Sequence, residues 1–220
     1  RIFTDPQLVV AVSAIVKQHL PAKLYWQAIV VGFTVSLDTL AACGSFVEDE
    51  VTIAVGTVTD SWSHLQHRRL HVPTAEKTQQ LCEQVAALAG QQGLILVNES
   101  DTVIRLGEVL SSVLPEASCT QRVVHVDQPL AVRREHLSLF RVDMIQLLVT
   151  THALVWGLDF PLLKYVIMYD VPESSEDALH SAGRVGRAGT EGTVISFFED
   201  PVPLTPEAPD LVQECPPMAP

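Results

Sequence analysis

The sequence predicts an α/β protein built on a doubly wound parallel sheet, and three observations carry that expectation. Apolar runs of four to eight residues alternate with stretches at helical spacing, the pattern of parallel strands covered by helices. The chain has 220 residues, 47% of them hydrophobic, which is enough apolar material for a real core. No internal repeat interrupts the alternation, so a solenoid has no support.

Strands are predicted, in order, at Ala28 to Val31, Thr52 to Val55, His67 to Val72, Gly93 to Val97, Arg122 to His125, Ile145 to Val149, Tyr165 to Tyr169 and Gly192 to Phe198. Each is short and bounded by turn-forming or charged residues, and most are apolar. Helices are predicted between them. Thr74 to Ala89 sets Leu81, Val85 and Leu88 on one helical face, with no Gly or Pro from Lys77 onward. Asp101 to Leu114 and Val132 to Phe140 repeat the pattern, and a last helix contains His180. Such a fold binds ligands at the carboxyl ends of its strands.

Composition excludes several classes. With 14 Lys+Arg against 26 Asp+Glu, the formal net charge is −12, which argues against a surface that binds nucleic acid everywhere; a local basic groove is compatible with it. Cys43, Cys82, Cys119 and Cys215 form no CxxC pair, so a zinc ribbon or redox motif has no support and a reducing compartment is the default. The longest apolar stretch, Ala28 to Leu37, is about half the roughly 20 residues a membrane span needs. No membrane partner is expected. The start, Arg1-Ile2-Phe3-Thr4-Asp5, has no signal-peptide pattern and no initiator Met, which predicts a segment of something longer.

The pattern breaks at Gly56-Thr57-Val58-Thr59-Asp60-Ser61-Trp62-Ser63. Residues 1–57 are then the end of one domain, 58–66 a linker, 67–200 a second domain and 201–220 a tail. That tail holds seven of the 14 prolines, so no packed helix or strand is expected through it.

The chemistry concentrates in the stretch HSAGRVGRAGTEG. Arg184 and Arg187 lie three apart in a Gly-rich turn, where two guanidiniums, each a planar fork of donors that stays charged, can converge on one polyphosphate. Gly183, Gly186 and Gly189 let backbone approach the ligand closely. The bland reading is a surface turn with two solvated arginines. The acids Glu173, Glu176 and Asp177 suit the first turn of the helix carrying His180, and Asp170 suits a turn cap. The cluster His67, Arg68, Arg69 and His71 lies on a predicted strand, with alternate residues facing opposite sides and a solvated face as the default. Trp156 reads as a packed Trp or a platform for a base, and His152 as a satisfied loop histidine.

The order and spacing of five stretches resemble the second RecA-like domain of a DEAD-box ATP-dependent RNA helicase. HSAGRVGRAG is similar to that family's HRIGRTGRAG, TTHALVWGLDFP to ATDVAARGLDIP, VIMYDVP to the strand between them, LILVNES to IIFVNTK, and HVDQPLAVRREHLSLFR to HGDLPQAERDAALEAFR. Phe3 to Pro21 and Ala28 to Thr34 look like the stretch running to the family's SAT motif, at the end of a first RecA-like domain.

The resemblance implies that Arg184 and Arg187 reach the β/γ-phosphates of ATP as arginine fingers and that Asp159 contacts the ribose. It also puts Gly183, Gly186 and His180 at the nucleotide, Thr151, Gly157 and Arg133 at the RNA backbone, and Thr34 in interdomain coupling. No G-x-x-x-x-G-K-[ST] occurs, and none of Lys17, Lys23, Lys77 and Lys164 follows a glycine. The phosphate loop and the Mg²⁺-binding acids are therefore outside this stretch, which alone cannot hydrolyse ATP.

Several positions depart from the family strings. Glu99 and Ser100 replace Thr and Lys, Val126 replaces Gly, and Leu130 replaces the Gln of Q-x-x-R while Arg133 is kept. His152 replaces Asp, Trp156 and Ser181 each replace Arg, and Gly32-Phe33-Thr34 replaces SAT. The nucleotide-facing residues survive better than the RNA-facing ones. Two functions follow: an ATP-dependent RNA helicase using ATP with Mg²⁺, or a scaffold that binds RNA or ribosomal particles without unwinding. The stretch AGRVGRAGTEGTVISF looks like the members that assemble organellar ribosomes. That implies the mitochondrial matrix, ribosomal RNA and ribosomal or assembly-factor proteins as partners, with the cytoplasm or nucleolus as the alternative.

Overall fold

A computed structural model describes residues 65–114, 120–173 and 175–199, with a few isolated positions before them. The chain divides into two compact units, Arg1–Ser61 and Trp62–Pro220. Of the predicted strands at Ala28 to Val31 and Thr52 to Val55, only Ile29, Val31 and Ile53 are described, each exposed and assigned to no strand; the coupling residue Thr34 and the Pro-rich tail lie outside the described residues.

The second unit runs β1 (Leu65–His71), α1 (Lys77–Ala87), β2 (Gly93–Val97), α2 (Ser100–Val113), β3 (Gln121–Val124), α3 (Leu130–Arg141) and β4 (Leu147–Thr151). A 3-10 turn (His152–Val155) follows, then β5 (Tyr165–Met168), α4 (Ser175–Ala182), a second 3-10 turn (Arg187–Gly189) and β6 (Gly192–Phe198). The six strands form one sheet in the order β1-β6-β5-β2-β4-β3, and every pairing is parallel. The predicted doubly wound sheet is the one observed. The largest shift is at β4, which starts two residues after the predicted Ile145 and runs through Thr151. Its last two turns of pleat are threonines, so apolarity alone ended the prediction early.

Strand parity explains the layers. On β2, which is wholly buried, Leu94 and Leu96 face one side and Ile95 and Val97 the other. The first side packs Leu148, Val166, Met168 and Val194 against Phe140 of α3 and Ala182 of α4. The second packs Leu147, Val149, Ile167 and Ile195 against Leu81 and Val85 of α1 and Val103, Leu106 and Leu110 of α2. Each helix contributes residues three or four apart, the stripe that its amphipathic spacing requires. The central strands β5, β2 and β4 are buried along their whole length, as parallel strands covered on both faces must be.

The edge strand β1 is solvated, the default expected of its basic cluster. His67, Arg68 and Arg69 are all exposed, with no alternation of burial through them. The Arg69 guanidinium lies 5.9 Å from the Phe198 ring centre. Charged side chains on both sides of an edge strand also discourage pairing with a second chain. Among the described residues no helix is long and apolar enough to cross a membrane.

Candidate functional site

Because all six strands are parallel, their carboxyl ends share one edge, and the loops leaving β2, β3, β4, β5 and β6 meet there. Thr151 is the last residue of β4 and is buried. The 3-10 turn that follows carries the chain through Trp156 to Gly157, whose φ of 71° reverses its direction. That left-handed conformation suits glycine. Leu158 and Asp159 then come to lie beside the turn that ends α4.

Two arginines hold that junction. Arg184 is buried; its Nε donates to the His180 carbonyl at 2.9 Å and its Nη1 donates to the Leu158 carbonyl. Burial lowers its pKa from the ordinary arginine value, as does the neighbouring Arg187, while Asp159 opposes both; the guanidinium still remains charged. Arg187 Nε donates to the Gly183 carbonyl at 3.0 Å, and its Nη1 pairs with Asp159 Oδ1. The side chains of this pair are 35% and 50% exposed. Gly186, at φ 71°, supplies the left-handed step between the two arginines.

Six of the predicted site residues are therefore one assembly: Arg184, Arg187, Asp159, Gly183, Gly186 and His180. A Gly-rich turn of this kind is expected to lead into or open a helix; here it follows the carboxyl end of α4 and enters only a short 3-10 turn. Thr151 and Gly157 flank the loop bonded to that turn. Arg133 stands apart on α3, and among the described residues its buried Nε has no hydrogen-bond partner.

Two neighbours add contacts that residue types did not announce. His152 is buried, and its Nδ1 lies 2.8 Å from Ser181 Oγ. Burial pushes its pKa down, against the opposing pull of Asp177, Asp170 and Glu173. Trp156 is half-buried and its ring centre lies 4.7 Å from that of His180, tilted by 40°. Asp177, in the first turn of α4, is buried.

The neighbouring opening at the sheet edge is lined by Lys77, Asn98, Glu99, Thr102, Asp170 and Glu199. Lys77 is buried and reaches Asp170 at 3.2 Å and Glu199 at 3.0 Å, with its ammonium 4.6 Å from the Tyr169 ring centre. Asp170 was expected to cap its own turn. It instead joins two other elements, accepting from Lys77 and from the Asn98 amide at 3.1 Å. The Lys77 ammonium and the Thr74 hydroxyl hold the Glu199 carboxyl below the usual range. One cation against three carboxylates leaves this opening unfavourable to phosphate. Val126 and Leu130, in place of Gly and Gln in the family strings, are exposed. Among the described residues no group of three His, Cys, Asp or Glu side chains is placed to hold a metal.

The comparisons with known proteins agree with this geometry. The helicase conserved C-terminal domain matches residues 76–189. A probable ATP-dependent RNA helicase, vasa-like, of Penaeus vannamei is 30% identical over 159 residues, covering 71% of this chain and 22% of that protein. Dbp5 of S. cerevisiae bound to RNA and ADP BeF3 superposes with a TM-score of 0.74 at 24% identity, over 90% of this chain and 51% of that one, a likeness of fold. The C-terminal domain of the DEAD-box protein Dbp5 superposes with a TM-score of 0.55 at 26% identity, over 63% of this chain and 78% of that domain. The chain thus spans about a fifth of its curated relative and half of the two-domain structure. With its all-parallel RecA-like sheet and its paired arginines at the carboxyl edge, this chain belongs to the helicase conserved C-terminal domain family.

Proposed function

We propose that this chain serves as the second RecA-like domain of an RNA-dependent ATPase that remodels RNA or RNA–protein complexes. The observation that carries the proposal is the Arg187–Asp159 pair on the buried support of Arg184. A solvent-exposed pair of this kind is worth about 0–1 kcal/mol, so a polyphosphate, with several charged oxygens, competes for Arg187 at little cost. Asp159, released, is free to accept from a ribose hydroxyl. Arg184 is fixed by two backbone carbonyls and sets the turn from which Arg187 reaches. ATP, with its Mg²⁺, would be held chiefly by a first RecA-like domain carrying the phosphate loop, and the two domains would close on it. Thr151, Gly157 and Arg133 would serve the RNA backbone, and Thr34 the coupling between domains.

The deciding experiment is steady-state ATP turnover of the natural polypeptide with and without structured RNA. RNA-stimulated turnover is expected, and Arg187→Ala should reduce it by roughly 10³-fold or more, the scale of an arginine finger. Turnover unchanged in Arg187→Ala would overturn the assignment.

A second reading is favoured by the acid-lined opening at Glu99 and by exposed Val126 and Leu130: a scaffold that has kept the fold and docks RNA or particles without unwinding. Absence of turnover with particle binding intact would select it. As to the target, the likeness of AGRVGRAGTEGTVISF to organellar members supports assembly of the mitochondrial large ribosomal subunit, with ribosomal RNA and assembly-factor proteins as partners in the matrix. Co-sedimentation with ribosomal RNA precursors and imaging of the tagged protein in mitochondria are the expected results. Recovery only with cytosolic messenger particles would overturn that target.

A further inference from the structure

Three departures from the family strings meet in space. Where the strings have Asp, Arg and Arg, this chain has His152, Trp156 and Ser181. Taken singly, each looks like the loss of a charge from the RNA-facing side. His152 and Ser181, 29 positions apart, are both buried and lie 2.8 Å apart. Trp156 stacks on His180, the residue next to Ser181, at 4.7 Å. An acid and a base have been exchanged for two neutral groups that bond to each other, and a third charge for a ring that packs on the same turn.

These contacts join the same two segments as the arginines. On one side is the loop from Thr151 to Asp159, on the other the turn from His180 to Arg187. The links that cross between them include His152 to Ser181, Trp156 to His180, Arg184 to the Leu158 carbonyl and Arg187 to Asp159. The His152–Ser181 bond is buried, so solvent and salt weaken it less than they weaken the exposed ion pair. When a nucleotide draws Arg187 from Asp159, His152–Ser181, Trp156–His180 and Arg184–Leu158 still hold the loop to the turn.

We propose that His152 and Ser181, backed by the Trp156–His180 stack, form a neutral latch through which the RNA-facing loop and the arginine turn shift as one piece. His152 is a positioning residue: it touches neither nucleotide nor RNA, and it acts through Ser181 on α4. The effect on turnover rests on the function proposed above; the latch itself does not.

The groups facing His152 are Ser181 and Asp177 on α4 and Asp170 and Glu173 after β5. With Nδ1 accepting from the Ser181 hydroxyl, protonating the ring makes Nδ1 a donor and reverses that bond, so the latch is testable by pH. The probe is the Nε–H resonance of Arg184 and of Arg187, followed by NMR in the full chain between pH 8 and 5.5. In the unaltered chain both resonances should move together as His152 titrates. His152→Asn, which keeps a hydrogen-bonding group near the Nδ1 position but does not titrate, should abolish that movement. His180→Phe preserves a ring for Trp156 and leaves His152 and Ser181 in place, so the movement should persist in it. Ser181→Ala should displace both arginine resonances at every pH, and Ser181→Thr, which keeps the hydroxyl, should restore them.

Turnover supplies the second arm. Ser181→Ala should lower RNA-stimulated kcat by roughly tenfold to a hundredfold, the scale for a reacting group displaced by about an ångström, and Ser181→Thr should recover it. If the unaltered polypeptide turns over no ATP, the proposed function falls while the arginine resonances still decide the latch. Arginine resonances that ignore both pH and Ser181→Ala would overturn it.

Discussion

At the scale of single residues, two features of the site have measurable energies. Gly186 occupies a left-handed conformation between the arginines, where an L side chain costs roughly 1–2 kcal/mol. Gly186→Ala should lower stability by about that amount in denaturant unfolding, and it should weaken nucleotide response more than RNA binding, because the strain falls on the turn that carries Arg187. The second feature is His152. Its pKa is lower in the folded chain than the ordinary value of 6.5, so the unfolded chain binds the proton more readily. Stability from this group is complete above pH 6.5 and is lost as pH falls through it. His67, partly desolvated on its exposed strand and beside Arg69, is shifted in the same direction. Thermal midpoints should therefore fall between pH 7 and 5.5, and His152→Asn should flatten part of that fall. A midpoint equally pH-sensitive in His152→Asn would refute this account of His152.

At the scale of elements, the helices that cover the sheet are held by narrow stripes. Leu106 of α2 is fully buried among Val103, Leu110 and the strand residues Ile95 and Val149. Leu106→Ala should cost about 2–5 kcal/mol, the range for a buried Leu truncated to Ala, read as a shift in the denaturation midpoint at constant slope. Val113, at the exposed end of the same helix, should cost less than about 0.5 kcal/mol when changed to Ala. The helix positions were legible because Leu81 and Val85, or Val103, Leu106 and Leu110, recur at helical spacing. The ends were less so. The 3-10 turn at His152–Val155 has no periodic signal, since four residues make barely one turn, and it was visible only in the folded chain.

At the scale of the whole molecule, an excess of 12 negative charges sets the terms on which the proposed RNA binding would occur. Affinity cannot come from a general basic field, and Glu99 adds a local repulsion at the end of β2. Glu99→Lys should tighten binding of single-stranded RNA and steepen its salt dependence by about 0.7 in log–log slope for one added phosphate contact. An unchanged slope would place Glu99 away from the RNA path. Substitution of Lys77 would be uninformative in such an experiment, because its ammonium is buried between Asp170 and Glu199 and its loss would leave two carboxylates uncompensated.

Order along the chain determined the fold class by itself: short apolar runs between amphipathic stretches can bury their surface only as a covered parallel sheet. Local spacing singled out Arg184 and Arg187, while Asp159 was marked only by the resemblance to the helicase family. Residue type also marked His152, Trp156 and Ser181 as departures, without showing what they do. That was decided by tertiary structure alone, which brings positions 29 apart to 2.8 Å because β4 and α4 end side by side at one sheet edge. The same long-range placement turned Asp170 from a local cap into a bridge between Lys77 and Asn98. Spacing along a chain reports neighbours within one element, whereas which elements share an edge depends on strand order, and that order is set by packing of the whole sheet.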